Sequence, residues 1–256
     1  MSANRDAVAP PPRPPTPGEL VLYRACRVIS VGASRVMFPG KVIGRENLPA
    51  TGAYILAPVH RSYVDWLVVA RVTKRRLRYI AKAEIWKSRP VGALIGALGA
   101  FPVNRSGADR EALERCRMVL AGGEPLVMFP EGTRRSGPKV EDLREGVAYL
   151  ALHAGVPVVA VGIGGSEDSM PRGAKVPRPH RVDLVIAPPL VPPSAEGRRE
   201  GRGGGGGDGE PGTATRPARI SRRSVRDFSD SLEATIQSAF DEAQGSVYSR
   251  RSKPAE

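Results

Sequence analysis

The sequence has 256 residues, 41% of them hydrophobic, which suits one domain with tails or one and a half domains. Its formal charge of +13 points to anionic partners: nucleic acid, anionic lipid or phosphorylated substrates. Cys26 and Cys116 share no metal-ligand spacing and the three histidines are scattered, which argues against a structural zinc site and for reduced, buried thiols in a cytosolic compartment.

Residues 1–17 are proline-rich and are expected to form a disordered tail, without the basic start and apolar core of a signal peptide. Glu19 to Phe38 has helical periodicity, so residues 18–38 are predicted as an N-terminal helix. Arg24, Arg27 and Arg35 fall within roughly an 80° arc of it, and Leu22, Ala25, Cys26, Ile29, Ala33 and Val36 gather opposite. That pattern suits a helix lying on an anionic membrane surface; it equally suits a helix packed on the domain with its arginines in water. Strands are predicted over 41–44, 53–57, 75–81, 100–103, 125–129, 156–163 and 181–187. Helices are predicted over 84–98, broken or started by Pro90, and over 109–121 and 143–154. No apolar run reaches the length of a membrane span; the nearest is residues 90–103.

Alternating strands and helices, with near-continuous apolar strands, predict an α/β domain over residues 18–193. Its expected architecture is a single mixed, largely parallel sheet covered by helices. Residues 194–221 are rich in glycine and arginine and are expected to be a flexible linker. Residues 222–245 are predicted as a C-terminal helix with Val225, Phe228, Leu232, Ile236, Ala239 and Phe240 on one face, free to dock on the domain, a partner or a membrane. Residues 246–256 are expected to be a disordered tail.

The stretch from Ala57 to Asp65 carries the chemistry. His60 and Asp65 are five positions apart, roughly 140° around a continuous helix, so they meet only if His60 sits in a loop and Asp65 in the first helical turn. Ser62 is the predicted N-cap of that helix. A carboxylate on one ring nitrogen would fix the imidazole tautomer, leaving the other nitrogen to take a proton from a substrate hydroxyl. The same spacing also suits a plain capping arrangement, with Asp65 satisfying backbone donors and His60 an ordinary loop residue.

Two later strands end in similarly charged turns: Phe101-Pro102-Val103-Asn104-Arg105 and Phe129-Pro130-Glu131-Gly132-Thr133-Arg134. Sites in open α/β sheets lie beyond the carboxyl ends of strands, and arginine forks suit phosphate oxygens. Taken in order with His60…Asp65 and Val156 to Gly162, these blocks resemble the glycerolipid acyltransferase family of lysophosphatidate and glycerol-3-phosphate acyltransferases, over roughly residues 40–190.

The resemblance implies that His60 is the general base, that Asp65 orients it, and that the hydroxyl attacks an acyl thioester carried by coenzyme A or acyl carrier protein. It implies that Arg105 and Arg134 hold the acceptor's phosphate, with Lys82 a lesser candidate. Glu131, Gly132 and Thr133 would shape that pocket, Glu131 by way of orienting an arginine, and Val156 to Ile163 would line the donor side. No metal or cofactor is implied. The expected partners are a lysophospholipid acceptor, the acyl carrier and an anionic membrane surface, at the cytoplasmic face. Other lysophospholipids and glycerol 3-phosphate are the near alternatives to lysophosphatidate. A non-catalytic binder of anionic membrane or nucleic acid is the alternative of another class; it needs no base, and nucleic acid is not expected. Val59, Arg135 and Ala160 depart from the family pattern without removing a reacting group. Gly162-Ile163-Gly164-Gly165 lacks the spacing of a phosphate loop, and His153 and His180 have no partners visible in sequence.

Overall fold

The computed structural model describes residues 15–103, 110–171, 173–193 and 220–249. Its strands are β1 (Val42–Ile43), β2 (Ile55–Pro58), β3 (Arg78–Lys82), β4 (Ala100–Val103), β5 (Leu126–Val127), β6 (Val158–Gly164) and β7 (Asp183–Ile186). They form one seven-stranded sheet in the order β1-β7-β6-β2-β5-β3-β4. Strands β2 to β6 run parallel; β7 lies antiparallel to β6 and pairs in parallel with β1. The mixed, largely parallel sheet expected from the alternating pattern is therefore the one present, with every predicted strand except 100–103 shifted or trimmed at its ends.

The central strands are β2 and β6, whose residues are all buried. The chain leaves β2 for β3 and β4, then returns through β5 between β2 and β3 before crossing to β6 on the other side of β2. This reversal opens a crevice beyond the carboxyl ends of β2 and β5, where α/β sheets place their ligands.

Helices α4 (Arg110–Ala121) and α5 (Gly146–Ala154) and the C-terminal helix (Arg222–Tyr248) form one layer, with α5 touching both neighbours. The C-terminal helix starts at Ser221, whose side chain accepts from the Ser224 amide, and buries Val225, Phe228, Leu232, Ile236 and Phe240. It thus docks on the domain, the first of the three destinations the amphipathic pattern left open. Its approach to β6 is unusually close. A Cβ on Gly162 would collide with the Ala239 carbonyl, and one on Gly164 with the Ala243 carbonyl. These two glycines serve helix-to-strand contact, which accounts for the glycine cluster that had no phosphate-loop spacing.

The helix also runs on through Tyr248, so residues 246–248 are not tail. Three contacts extend it: Ser246 Oγ donates to Asp183 Oδ2 at 2.6 Å, Val247 is buried, and Tyr248 Oη donates to Asp168. Asp183 also accepts from the Lys41 amide at 2.8 Å and from Arg181 Nη2 at 2.7 Å. Burial pushes the Asp183 carboxyl up, but the hydrogen bonds from Arg181, Ser246 and the Lys41 amide outweigh it and hold the group below the ordinary carboxylate range. His180 likewise has partners: its Nδ1 lies 2.9 Å from the Arg181 carbonyl and its Nε2 3.6 Å from Asp168.

Helix α1 (Pro17–Met37) opens with a capping box between Thr16 and Glu19 and packs on α2 (Asp65–Val69) and α3 (Arg89–Ala97). It buries Tyr23, Val31 and Ser34. Arg27 turns inward with them, its Nη2 donating to the carbonyls of Ala70 and Thr73. The predicted basic stripe is therefore split: Arg27 faces the domain, while Arg24 and Arg35 stay exposed. The apolar side faces outward, with Leu22, Val28, Ile29 and Val36 all more than half exposed. Arg27 thus meets carbonyls at the C-cap of α2 and just beyond it, while the more apolar side of α1 is left outward.

Candidate active site

Strand β2 delivers the His60 loop to the crevice. Beyond Pro58, the Val59 amide donates to the Val161 carbonyl at 3.0 Å, and the chain then leaves the sheet. It turns back through a single carboxylate oxygen: Asp65 Oδ2 accepts from the amides of Arg61 and Ser62, both at 2.7 Å, and lies 3.0 Å from His60 Nδ1. One oxygen thus makes both the imidazole contact that the orienting reading needs and the backbone contacts that the capping reading needs. Asp65 is fully buried and the His60 side chain is 20% exposed. The His60 ring rests on Phe129, with ring centroids 4.2 Å apart.

Ser62 is not the N-cap of α2. The helix begins at Asp65 with Val64 at the cap position, and Ser62 Oγ donates instead to the Met170 carbonyl at 3.2 Å. With its own amide taken up by Asp65, the loop is closed by the acid and not by the hydroxyl.

Strand β5 brings the Phe129–Arg134 block under this loop. Glu131 Oε2 accepts from the His60 amide at 2.7 Å, and Oε1 pairs with Arg61 Nη1. Arg61 Nη2 donates to the Lys139 carbonyl at 2.7 Å, and its guanidinium lies 4.9 Å from the Phe240 ring centroid. The Arg61 and Glu131 side chains are each 1% exposed. The arginine that Glu131 orients is therefore Arg61, beneath the loop, and the carboxylate is not presented at the surface of the crevice. Removing either partner would leave a buried charge unpaired.

Gly132 has a φ of 65°, which is what favours glycine in the turn after Glu131; a Cβ there would also meet the end of the exposed Arg144 side chain, which is free to move aside. Thr133 is exposed. Arg134 lies over the Tyr63 ring, 3.2 Å from its centroid, in a cation–π contact between the two blocks. The Arg135 amide donates to the His60 carbonyl at 2.9 Å and fastens the blocks together a second time. His60, Asp65, Glu131, Gly132, Thr133 and Arg134 are thus gathered at one place. Arg105 lies outside the described residues, as does the side chain of Lys82. Strand β4, which leads toward Arg105, ends on the same side of the sheet as β3 and β5.

Two expectations change here. Val156 to Ile163, expected on the donor side, is core in this structure: β6 is buried along its whole length, with the C-terminal helix laid against Gly162 and Gly164. Arg61 and Tyr63, passed over in the sequence, are the residues that join His60 to the Glu131 turn. The signal for Arg61 was the acid itself, since a glutamate in an apolar strand end needs a buried cation. Among the described residues, no group of three or more His, Cys, Asp or Glu side chains is placed to hold a metal ion.

The sequence model of the family described as Acyltransferase matches residues 40–164, the segment that contains every part of this arrangement except Met170 and the C-terminal helix with Phe240. A 1-acyl-sn-glycerol-3-phosphate acyltransferase of Chlamydomonas reinhardtii is 32% identical over 157 residues, covering 59% of this chain and 46% of the relative. One of Bacillus subtilis is 28% identical over 153 residues, covering 59% of this chain and 73% of the relative. The chain thus spans less than half the length of the algal relative. In fold, it resembles the crystal structure of the 1-acyl-sn-glycerophosphate acyltransferase PlsC of Thermotoga maritima, with a TM-score of 0.62 and 21% identity, covering 93% of this chain and 83% of that one. On the matched segment, just under half of the chain, and on this sheet, the chain is similar to the family described as Acyltransferase and to these lysophosphatidate acyltransferases.

Proposed function

We propose that the chain transfers a fatty acyl group from a thioester donor, acyl-CoA or acyl-acyl carrier protein, to the free hydroxyl of lysophosphatidate, giving phosphatidate. The observation that carries this reading is the His60 Nδ1–Asp65 Oδ2 contact of 3.0 Å with Asp65 fully buried. It assigns Nδ1 to the acid and leaves Nε2 as the base. Nε2 takes the proton from the acceptor hydroxyl as its oxygen attacks the thioester carbonyl carbon. The tetrahedral intermediate collapses by breaking the carbon–sulfur bond, and the departing thiolate takes the proton from the imidazolium. Asp65 stabilises that imidazolium. Base catalysis of this kind contributes on the order of 10²–10⁴ in rate.

Arg134, braced on Tyr63, and Arg105 hold the acceptor's phosphate in this reading; a guanidinium stacked on a ring face keeps its in-plane donors for oxygen. The names of the relatives in Chlamydomonas reinhardtii and Bacillus subtilis favour lysophosphatidate over other acceptors. An acceptor screen with one labelled acyl-CoA tests it. Labelled phosphatidate from lysophosphatidate, with little product from monoacylglycerol, is expected; equal transfer to both would remove the phosphate from the account.

The reaction takes place at a membrane surface, on the cytoplasmic side where both acyl carriers are found. No described helix is long and apolar enough to cross a membrane. Support for a peripheral contact comes from the outward face of α1, where Val28 is 69% and Ile29 72% exposed, together with Val91 and Leu94 on the adjoining α3 and Trp66 on α2. With Arg27 turned inward, apolar insertion supplies more of the binding than charge, which adds about 1 kcal/mol per basic residue near an anionic leaflet. Replacing Val28 and Ile29 by serine should weaken flotation with anionic vesicles by about tenfold or more at high salt, while leaving Tm unchanged. Flotation equal to wild type would move the contact elsewhere. Point substitutions are preferable to deleting residues 1–38, because Tyr23, Val31 and Phe38 belong to the buried part of the domain.

A further inference from the structure

The segment from Glu131 to α5 contains Arg134 but no helix or strand of its own. Its middle is held by side chains at three consecutive residues. Arg61 Nη2 donates to the Lys139 carbonyl at 2.7 Å. On either side of that bond, Gln237 of the C-terminal helix accepts from the Val140 amide at 2.7 Å and donates to the Pro138 carbonyl at 3.0 Å. A second bond from Gln237 Nε2, to Asp241 Oδ1 at 2.8 Å, fixes the side-chain amide. Phe240, almost one turn further along the helix, lies against the Arg61 guanidinium. One short stretch of the helix therefore supports both attachments, and it lies outside the residues 40–164 that match the family model.

We propose that Gln237 is a positioning residue: through Pro138 and Val140 it fixes the segment that carries Arg134, and so sets how the acceptor's phosphate is met. This rests on the proposed function for the identity of the ligand. A helix that merely covers β6 would need no side-chain amide matched to a backbone acceptor at 138 and a backbone donor at 140. Satisfying both ends of an irregular segment is what holds it in one conformation.

The test compares full-length wild type with Gln237→Met, which keeps length and apolar stem but neither hydrogen bond, and with Ser246→Ala, which loosens the far end of the same helix at Asp183. Hydrogen exchange over residues 131–142 should quicken by about tenfold in Q237M and stay unchanged in S246A. With oleoyl-CoA as donor and lysophosphatidate as acceptor, Q237M should raise the acceptor KM by about tenfold, with the donor KM unchanged; S246A should lower Tm without moving either KM. Unchanged exchange over 131–142 in Q237M overturns the proposal whether or not the protein turns over lysophosphatidate. So does an acceptor KM that stays put while exchange rises. A wild type that makes no phosphatidate overturns the proposed function instead, and the exchange result still decides whether Gln237 holds the segment.

Discussion

The His60 loop, buried except at the imidazole and Tyr63, and the seam between β6 and the C-terminal helix are held by opposite means. The loop is tied by charge: Asp65 gathers two amides and an imidazole, and Glu131 holds Arg61 and the His60 amide. The seam is closely packed, with two glycines of β6 set against helix carbonyls and no room for a Cβ. The difference reflects what each region must fix. Directional bonds set the angle of an imidazole to within a catalytic tolerance. Close backbone packing fixes distance over a long surface and has no protonation state to lose. Phe240 and Gln237 are where the two meet, since the helix that lies on the seam also touches Arg61 and the 138–140 segment.

Breaking the seam should have the larger effect on stability. Gly162→Ala adds one carbon, but its neighbour is the backbone of Ala239, which cannot rotate away. We expect a loss of roughly 4 kcal/mol or more, read as a Tm about 10 °C lower. A fall of a degree or two would mean that the helix slides easily and the seam is loose. Gly245→Ala on the same helix sharpens the contrast: nothing lies within 4 Å of its would-be Cβ, so a gain of about 0.5–1 kcal/mol is expected from the lost unfolded-state freedom alone.

Breaking the charge ties comes next. Glu131→Gln keeps an acceptor for the His60 amide but leaves Arg61 as a buried charge without its carboxylate. A loss of roughly 3 kcal/mol is expected by denaturant unfolding, and kcat should fall with it as the loop loosens. Arg61→Met with Glu131→Gln together should recover part of that loss, because neither charge is then stranded. A double variant as unstable as the sum of the two singles would show that the pair is not coupled.

The sequence made some of this legible and not the rest, for physical reasons. Strand positions and their shared end could be read because burial on both faces leaves apolar runs, and turns leave proline and glycine. The His60–Asp65 contact was one of two arrangements that the spacing allowed, since a loop and a first helical turn are local. The Arg61–Glu131 pair did not, because its members are 70 residues apart and β5 joins β2 only through tertiary pairing. The orientation of α1 was hidden for a different reason. Periodicity locates its two faces, but the inner face carries Tyr23, Val31 and Arg27, whose partners, the Ala70 and Thr73 carbonyls among them, only the folded chain brings there. The glycines of β6 invited a ligand reading because glycine permits close approach of any group; here the group is the chain's own helix.

The central claim is that His60 is the base in an acyl transfer, and His60→Ala measures it most directly. The variant should keep the wild-type Tm and vesicle binding, since the loop is anchored through backbone amides and Asp65 and not through the imidazole alone. Its kcat for phosphatidate formation from labelled acyl-CoA and lysophosphatidate should fall by about 10²–10⁴. Folded H60A protein that turns over at close to the wild-type rate would contradict the account.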